Sequence, residues 1–327
     1  MINFLTSCIV LYSFISSTNM FTMDLPLTVR KVTAVEEPIL TGLLHNKNAV
    51  IANSSGYHIV DTNDNAIIHS ILCHPFRFAL NKKKSLIGIQ TFEKFLVYDT
   101  ITNSITWKLD YDPSFDSSVF TANNIFWVLK ENGTMINNLG KEYLIPSSNT
   151  GNTCCCSHPT KEKIFYTTSI ALQKNLLCRI NLKEGNPTIT QSILPDRLPC
   201  NLIDNEPITK IHSYQGNILA FYWPIDRNWS LYDHEKQEEI CKLPQCNNLA
   251  LHPNKHILAM ITADGLLQIY NFKEDKILDQ LNMENTPYPS TTPLNEITMD
   301  FSLDGKQLIF MFRGNCYLAN IAPILFE

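Results

Sequence analysis

Leu249-Ala-Leu-His-Pro-Asn-Lys-His-Ile-Leu-Ala-Met-Ile-Thr-Ala-Asp-Gly-Leu-Leu-Gln-Ile-Tyr-Asn-Phe272 divides itself into three short apolar runs. His252 to His256, with Pro253 inside it, is a polar break after the first run. Asp264-Gly265 is a two-residue hairpin signal between the second and third. Runs this short, bounded by turn residues, read as strands.

Working outward, the same pattern recurs about every 40 residues. Each copy carries an apolar strand that ends in a polar residue: Ile59-Val60-Asp61, Val97-Tyr98-Asp99, Met135-Ile136-Asn137, Arg179-Ile180-Asn181, Leu231-Tyr232-Asp233, Ile269-Tyr270-Asn271 and Leu318-Ala319-Asn320. Their middle residues lie 38, 38, 44, 52, 38 and 49 positions apart. The two longest intervals hold the Pro-rich stretches Leu194 to Pro207 and Thr286 to Pro293, where loop insertions are expected. Beyond about residue 36 no stretch keeps a helical period for more than three turns. Strands without helices imply a sandwich, barrel or propeller, and the long period selects the propeller.

Three segments carry a family resemblance. Ala250-Leu-His-Pro-Asn-Lys-His-Ile-Leu-Ala, followed by Ala263-Asp-Gly-Leu-Leu-Gln-Ile-Tyr-Asn, resembles a repeat of the WD40 β-propeller superfamily. Asp300-Phe-Ser-Leu-Asp-Gly-Lys-Gln-Leu-Ile-Phe resembles the first half of another, and Cys156-Ser-His-Pro-Thr-Lys-Glu-Lys-Ile-Phe-Tyr is a weaker match. The departures are clear. None of the four tryptophans precedes an Asp, no Gly-His pair occurs, and there are only 11 glycines. Tyr-Asp or Tyr-Asn stands where the family has Trp-Asp. The expectation is an all-β, single propeller of seven four-stranded blades, divergent from the family and held by apolar packing between blades rather than by its side-chain hydrogen-bond network.

The last repeat shows three strands, Ile297–Phe301, Leu308–Phe312 and Cys316–Asn320, before Pro323 interrupts. Thr28 to Val35 alternates Val29, Lys31 and Thr33 against Arg30, Val32 and Ala34, and it can supply the missing outer strand. The repeat from Ser117 to Ile145 is the weakest. The propeller is expected over residues 23–327. Residues 1–22 read as a signal-like segment or a non-native start: Phe4 to Ile15 is apolar, no Lys or Arg precedes it, and it is too short for a membrane span.

Composition narrows function. With 44% hydrophobic and 17% charged residues the chain is globular, and a net charge of −5 argues against a nucleic-acid partner. The basic run Lys82-Lys83-Lys84 reads as a solvated turn. Ten cysteines include the adjacent Cys154, Cys155 and Cys156, which in a strand point to alternate faces and cannot converge. Free thiols in a reducing, cytoplasmic setting are expected, with export as the alternative if residues 1–22 are a signal peptide.

Cys241, Cys246, His252 and His256 have a gap too short for a zinc finger, and His252 and His158 each occupy a His-Pro turn. No metal or cofactor is expected, and no catalytic residue is assigned. The most suggestive surface segment is Trp223-Pro-Ile-Asp-Arg-Asn-Trp229, which links the second and third strands of the fifth blade. Trp223, Asp226, Arg227 and Trp229, with Arg197 and Tyr288 from connections between blades, are the expected partner-binding residues, because exposed Trp, Tyr and Arg are enriched at hot spots. The leading functional expectation is a non-catalytic scaffold that binds a protein or peptide through rim loops. The alternative is a propeller enzyme, a hydrolase or lyase, with a polar site at the central axis.

Overall fold

The computed structural model describes residues 27–110, 115–130, 133–144, 154–158, 160–170, 174–182, 187–194, 210–213, 217–223, 228–262, 264–283 and 298–321. They form seven four-stranded antiparallel sheets. β1 (Leu27–Val32) comes first, and blade 1 follows as β2 (Leu40–Leu43), β3 (Asn48–Asn53), β4 (Gly56–Asp61) and β5 (Ile67–Leu72). Blade 2 is β6 (Pro75–Leu80), β7 (Leu86–Thr91), β8 (Lys94–Asp99) and β9 (Ser104–Asp110). Blade 3 is β10 (Phe115–Phe120), β11 (Phe126–Lys130), β12 (Thr134–Asn137) and β13 (Glu142–Leu144), so the weakest repeat builds a complete blade. Blade 4 is β14 (Cys154–Ser157), β15 (Lys163–Ile170), β16 (Lys174–Asn181) and β17 (Thr188–Ile193). Blade 5 is β18 (Lys210–Ser213), β19 (Ile218–Trp223), β20 (Asn228–Asp233) and β21 (Glu238–Lys242). Blade 6 is β22 (Cys246–Leu251), β23 (Ile257–Thr262), β24 (Leu266–Asn271) and β25 (Lys276–Asn282). Blade 7 is β26 (Met299–Phe301), β27 (Gln307–Phe312) and β28 (Asn315–Ile321), with β1 as its fourth strand.

First strands of neighbouring blades lie side by side, as β26 does with β2 and β10 with β14. They ring the axis, and the fourth strands form the outside. One rim therefore carries the turns between first and second and between third and fourth strands. The other rim carries the turns between second and third strands and the connections between blades.

The polar landmark ending the third strand has a local cause in five of the seven blades. Asp61 Oδ1 accepts the N–H of Asn63 at 2.7 Å, and Asp99 Oδ1 that of Ile101 at 2.7 Å. Asn137, Asp233 and Asn271 do the same to Leu139, Glu235 and Lys273. Each is an Asx turn, in which a short side chain replaces a ladder partner and starts the bend to the outer strand. Four residues after the landmark, Asn65, Asn103, Gln237 and Asp275 take positive φ, which completes the turn. The landmark is thus turn chemistry, repeated.

Apolar packing fills all seven blade interfaces. Strand alternation sends successive side chains to opposite neighbours. On β3, Val50 and Ala52 join the cluster shared with blade 2, while Ala49 and Ile51 join the one shared with blade 7. On β23, Leu258 and Met260 face blade 5, and Ala259 and Ile261 face blade 7. This is why inner strands read as continuous apolar runs: both faces are buried. The cysteine run obeys the same rule, with Cys155 against the core of blades 3 and 4 and Cys156 against that of blades 4 and 5.

The ring is closed twice. On the outside, β1 pairs antiparallel with β28 over six residues, from Leu27 opposite Ile321 to Val32 opposite Cys316. On the inside, Thr298 Oγ1 accepts the N–H of Thr41 at 2.8 Å, and Asp300 Oδ2 accepts that of Leu43 at 2.9 Å. Lys84 donates to Asp300 and to the Phe301 carbonyl, so it reaches across blade 1 to tie blade 2 to blade 7. The solvated-turn expectation is right for Lys82 and Lys83, which are exposed, and wrong for Lys84, whose side chain is only 12% exposed. The reason is long-range: Asp300 becomes its neighbour only when the ring closes.

Candidate functional site

Strand alternation separates the two tryptophans of blade 5. Trp229 lies opposite Tyr222 across the β19–β20 hairpin, with ring centroids 5.3 Å apart. It is 0% exposed and packs in the core between blades 5 and 6. A partner-binding role for Trp229 is therefore corrected: the side chain is an interior anchor. Trp223, one position beyond Tyr222, faces the other way, toward blade 4, and remains half-buried. Its Nε1–H donates to Ser230 Oγ at 2.9 Å, which fixes the indole at the rim end of β19. Arg197, Asp226, Arg227 and Tyr288 lie outside the described residues.

A second surface on the same rim was not anticipated. Phe92 occupies the turn between β7 and β8 and is 63% exposed. Pro75 pairs with Thr91 and Arg77 with Gln90, so His74 and Arg77 stand beside that turn. Both are exposed. Leu72, 79% exposed, ends β5 and leads into the same corner, where the Cys73 N–H donates to Ser55 O at 3.3 Å. Tyr57 braces the corner from beneath by donating its hydroxyl proton to Arg77 O at 2.8 Å. An exposed aromatic, aliphatic, arginine and histidine thus lie on strand ends and a turn of blades 1 and 2 at this rim. The available signal was Phe92 itself, a large aromatic in a two-residue turn where polar residues are usual.

The histidines weighed as ligands have structural duties. His252 Nδ1 accepts the N–H groups of Asn254 and Lys255, each at 3.1 Å. His158 Nδ1 does the same for Thr160 and Lys161, also at 3.1 Å each. Each imidazole caps its turn and must be neutral at Nδ1 to do so. Cys246 is buried between blades 5 and 6, and the His256 ring lies 5.4 Å from that of Phe272. No group of three His, Cys, Asp or Glu side chains among the described residues is placed to hold a metal ion.

Burial, with Lys255 next in weight, pushes His252 down to about 4. Burial and then the Arg179 guanidinium push His234 down to about 4 as well. Arg179 Nη2 donates to His234 O at 2.6 Å, and the His234 ring sits 4.7 Å from Phe165. Because both folded pKa values lie below the unfolded value, the unfolded chain gains protons first as pH drops. Stability is full above pH 6.5 and declines toward pH 4, by about 2 kcal/mol per histidine at pH 5. Urea unfolding at pH 7 and pH 5 checks this. His234→Phe, which keeps a ring against Phe165, should remove its share of the loss, and an unchanged decline would disprove the assignment.

No protein-family model matches the chain, and no curated protein matches it in sequence. Solved structures do. The chain resembles the crystal structure of the RRP9 WD40 repeats with a TM-score of 0.67 at 9% identity, covering 90% of this chain and 97% of that one. It resembles a chain of the mitotic checkpoint complex (TM-score 0.64, 10% identity, coverage 93% and 94%) and U3-55K (0.65, 10%, 89% and 98%). At such identities the likeness is one of fold. The protein has a seven-bladed β-propeller fold, similar to that of the RRP9 WD40 repeats. No helix among the described residues is long and apolar enough to cross a membrane.

Proposed function

We propose that this propeller is a protein-interaction platform that presents its interblade rim to a peptide or a partner domain. The observation that carries the reading is the corner of Leu72, His74, Arg77 and Phe92. Large apolar side chains stand exposed there beside an arginine, on a backbone braced from below. Such a mixture is the composition of binding hot spots. Trp223 stands on the same rim at blade 5, and Arg197, Asp226, Arg227 and Tyr288 are kept as further candidate contacts from the sequence. Each exposed group sits on a hairpin or strand end held by two packed blades, so little conformational entropy is lost on binding. The structural neighbours, one drawn from a checkpoint complex, are consistent with a role in assembly. Beside the inner strands, Lys84 is engaged with Asp300 in closing the ring. The thiols of Cys178, Cys246 and Cys316 lie buried in the blade cores, which supports a cytoplasmic location.

The test is affinity capture with three tagged proteins of equal thermal stability: wild type, the Arg77→Glu/Phe92→Ala variant, and Leu139→Ala. Leu139 is 64% exposed but lies on the opposite rim. A partner held by wild type and Leu139→Ala but lost by the double variant supports the reading. Identical recovery by all three proteins overturns it.

A further inference from the structure

A small cleft opens between blades 3 and 4 on the opposite rim, away from the surface proposed above. It encloses about 60 Å³ and is lined by Trp127, Asn137, Lys141 and Tyr143 of blade 3, facing Glu162 and Leu182 of blade 4. Trp127 lies directly opposite Asn137 in the β11–β12 ladder, so the two side chains emerge on one face. They are 3% and 1% exposed. Trp127 Nε1 and Asn137 Nδ2 are both buried and have no hydrogen-bond partner among the described residues.

The amide orientation is not ambiguous. Asn137 Oδ1 accepts the N–H groups of Leu139 at 3.0 Å and Lys141 at 2.9 Å, which leaves Nδ2 as the free donor. Two buried donors on paired residues that line one cleft are costly to leave unmatched, at about 1–3 kcal/mol each, and an acceptor seated in the cleft would satisfy them. The Tyr143 ring stacks on Trp127 at 5.6 Å and forms an apolar flank, and the exposed Lys141 lines the same wall. Glu162 on the far wall has Oε1 committed to the Asn123 N–H at 2.6 Å, which also locks blade 4 to blade 3. Two neutral donors surround a space for roughly four water-sized groups, with Lys141 on the donors' wall and the Glu162 carboxylate on the far one, so a planar carboxylate fits best when seated against the donor wall.

We propose that this cleft binds a carboxylate group, with one oxygen on Trp127 Nε1 and Asn137 Nδ2 and the charge offset by Lys141. A free small carboxylate and an acidic side chain of a peptide share this chemistry. The site is independent of the rim reading.

The chain has four tryptophans, so a sample labelled with [15N]tryptophan gives four indole N–H signals, and Trp127→Phe identifies the one from Trp127. Acetate and N-acetyl-glutamate amide are titrated separately, with acetamide and ethylammonium as controls. A saturable downfield shift of the Trp127 signal alone, with either carboxylate, is the expected result. Equal affinity for the two probes identifies a free carboxylate as the ligand, and tighter binding of the glutamate amide identifies an acidic peptide. Asn137→Asp keeps the oxygen that caps the turn and replaces the donor by a negative charge, so it should weaken binding at least tenfold while the melt is retained. Lys141→Met should weaken it less. No saturable shift, an equal response to acetamide or ethylammonium, or unchanged binding by a folded Asn137→Asp overturns the proposal.

Discussion

A protein lacking residues 1–36 should lose its cooperative melt, whereas one lacking only residues 1–22 should melt like the full chain. The longer truncation removes β1, which supplies six paired positions along the edge of β28. It also removes Leu27, Val32 and Val35 from the core that joins blades 6, 7 and 1. Three buried aliphatic side chains contribute roughly 1.5–3 kcal/mol each, and the loss leaves an open edge on the last blade. Typical domains have only about 5–15 kcal/mol of stability in total. Blade 7 meets blade 1 at this point, so damage there opens the ring rather than one local contact. A synthetic peptide of residues 24–36 added to the truncated protein should restore part of the melt. Equal melting temperatures for the two truncations would show that closure rests on the inner bonds from Thr298, Asp300 and Lys84 alone.

Gly88→Ala should destabilise the protein by several kcal/mol, although it adds a single methyl group to a strand. A Cβ at residue 88 would lie 2.1 Å from Cε2 of Phe126 and 2.7 Å from two more atoms of that ring. Phe126 belongs to the next blade, is fully buried, and is wedged between Trp107 at 6.0 Å and Phe120 at 4.9 Å. The ring has nowhere to retreat, and overpacking typically costs about 1–3 kcal/mol even where neighbours can adjust. The informative experiment is a double-mutant cycle. Phe126→Leu alone should be destabilising, yet Gly88→Ala with Phe126→Leu should cost clearly less than the sum of the two. Strict additivity in urea unfolding would mean that the two residues do not meet.

Much of the fold was legible in the sequence because its determinants are local and repeated. An apolar run followed by Asp or Asn states both a strand and its exit, since the side chain that caps the turn sits in the same few residues. Even the swapped strand could be read, from alternation in residues 28–35 and from a last repeat one strand short. The candidate site was less legible. Trp223 and Trp229 look equivalent in a linear reading, but the four-residue link between β19 and β20 sets Asn228 opposite Trp223 and Trp229 opposite Tyr222, so alternation sends the two indoles to opposite faces of the blade. Phe92 went unremarked because nothing in its own hairpin shows that Leu72, His74 and Arg77 share its corner.

The sequence by itself thus determined the number of blades, the strands within them, the turns and the way the chain closes, since each depends on residues close together or on a repeated period. Only the tertiary structure decided that Lys84 is an interior tie to Asp300, that Trp229 is an anchor, and that Trp127 and Asn137 share a cleft with Glu162. Those outcomes depend on which blades become neighbours around the ring, and contacts between blades carry no local periodicity for a sequence to display.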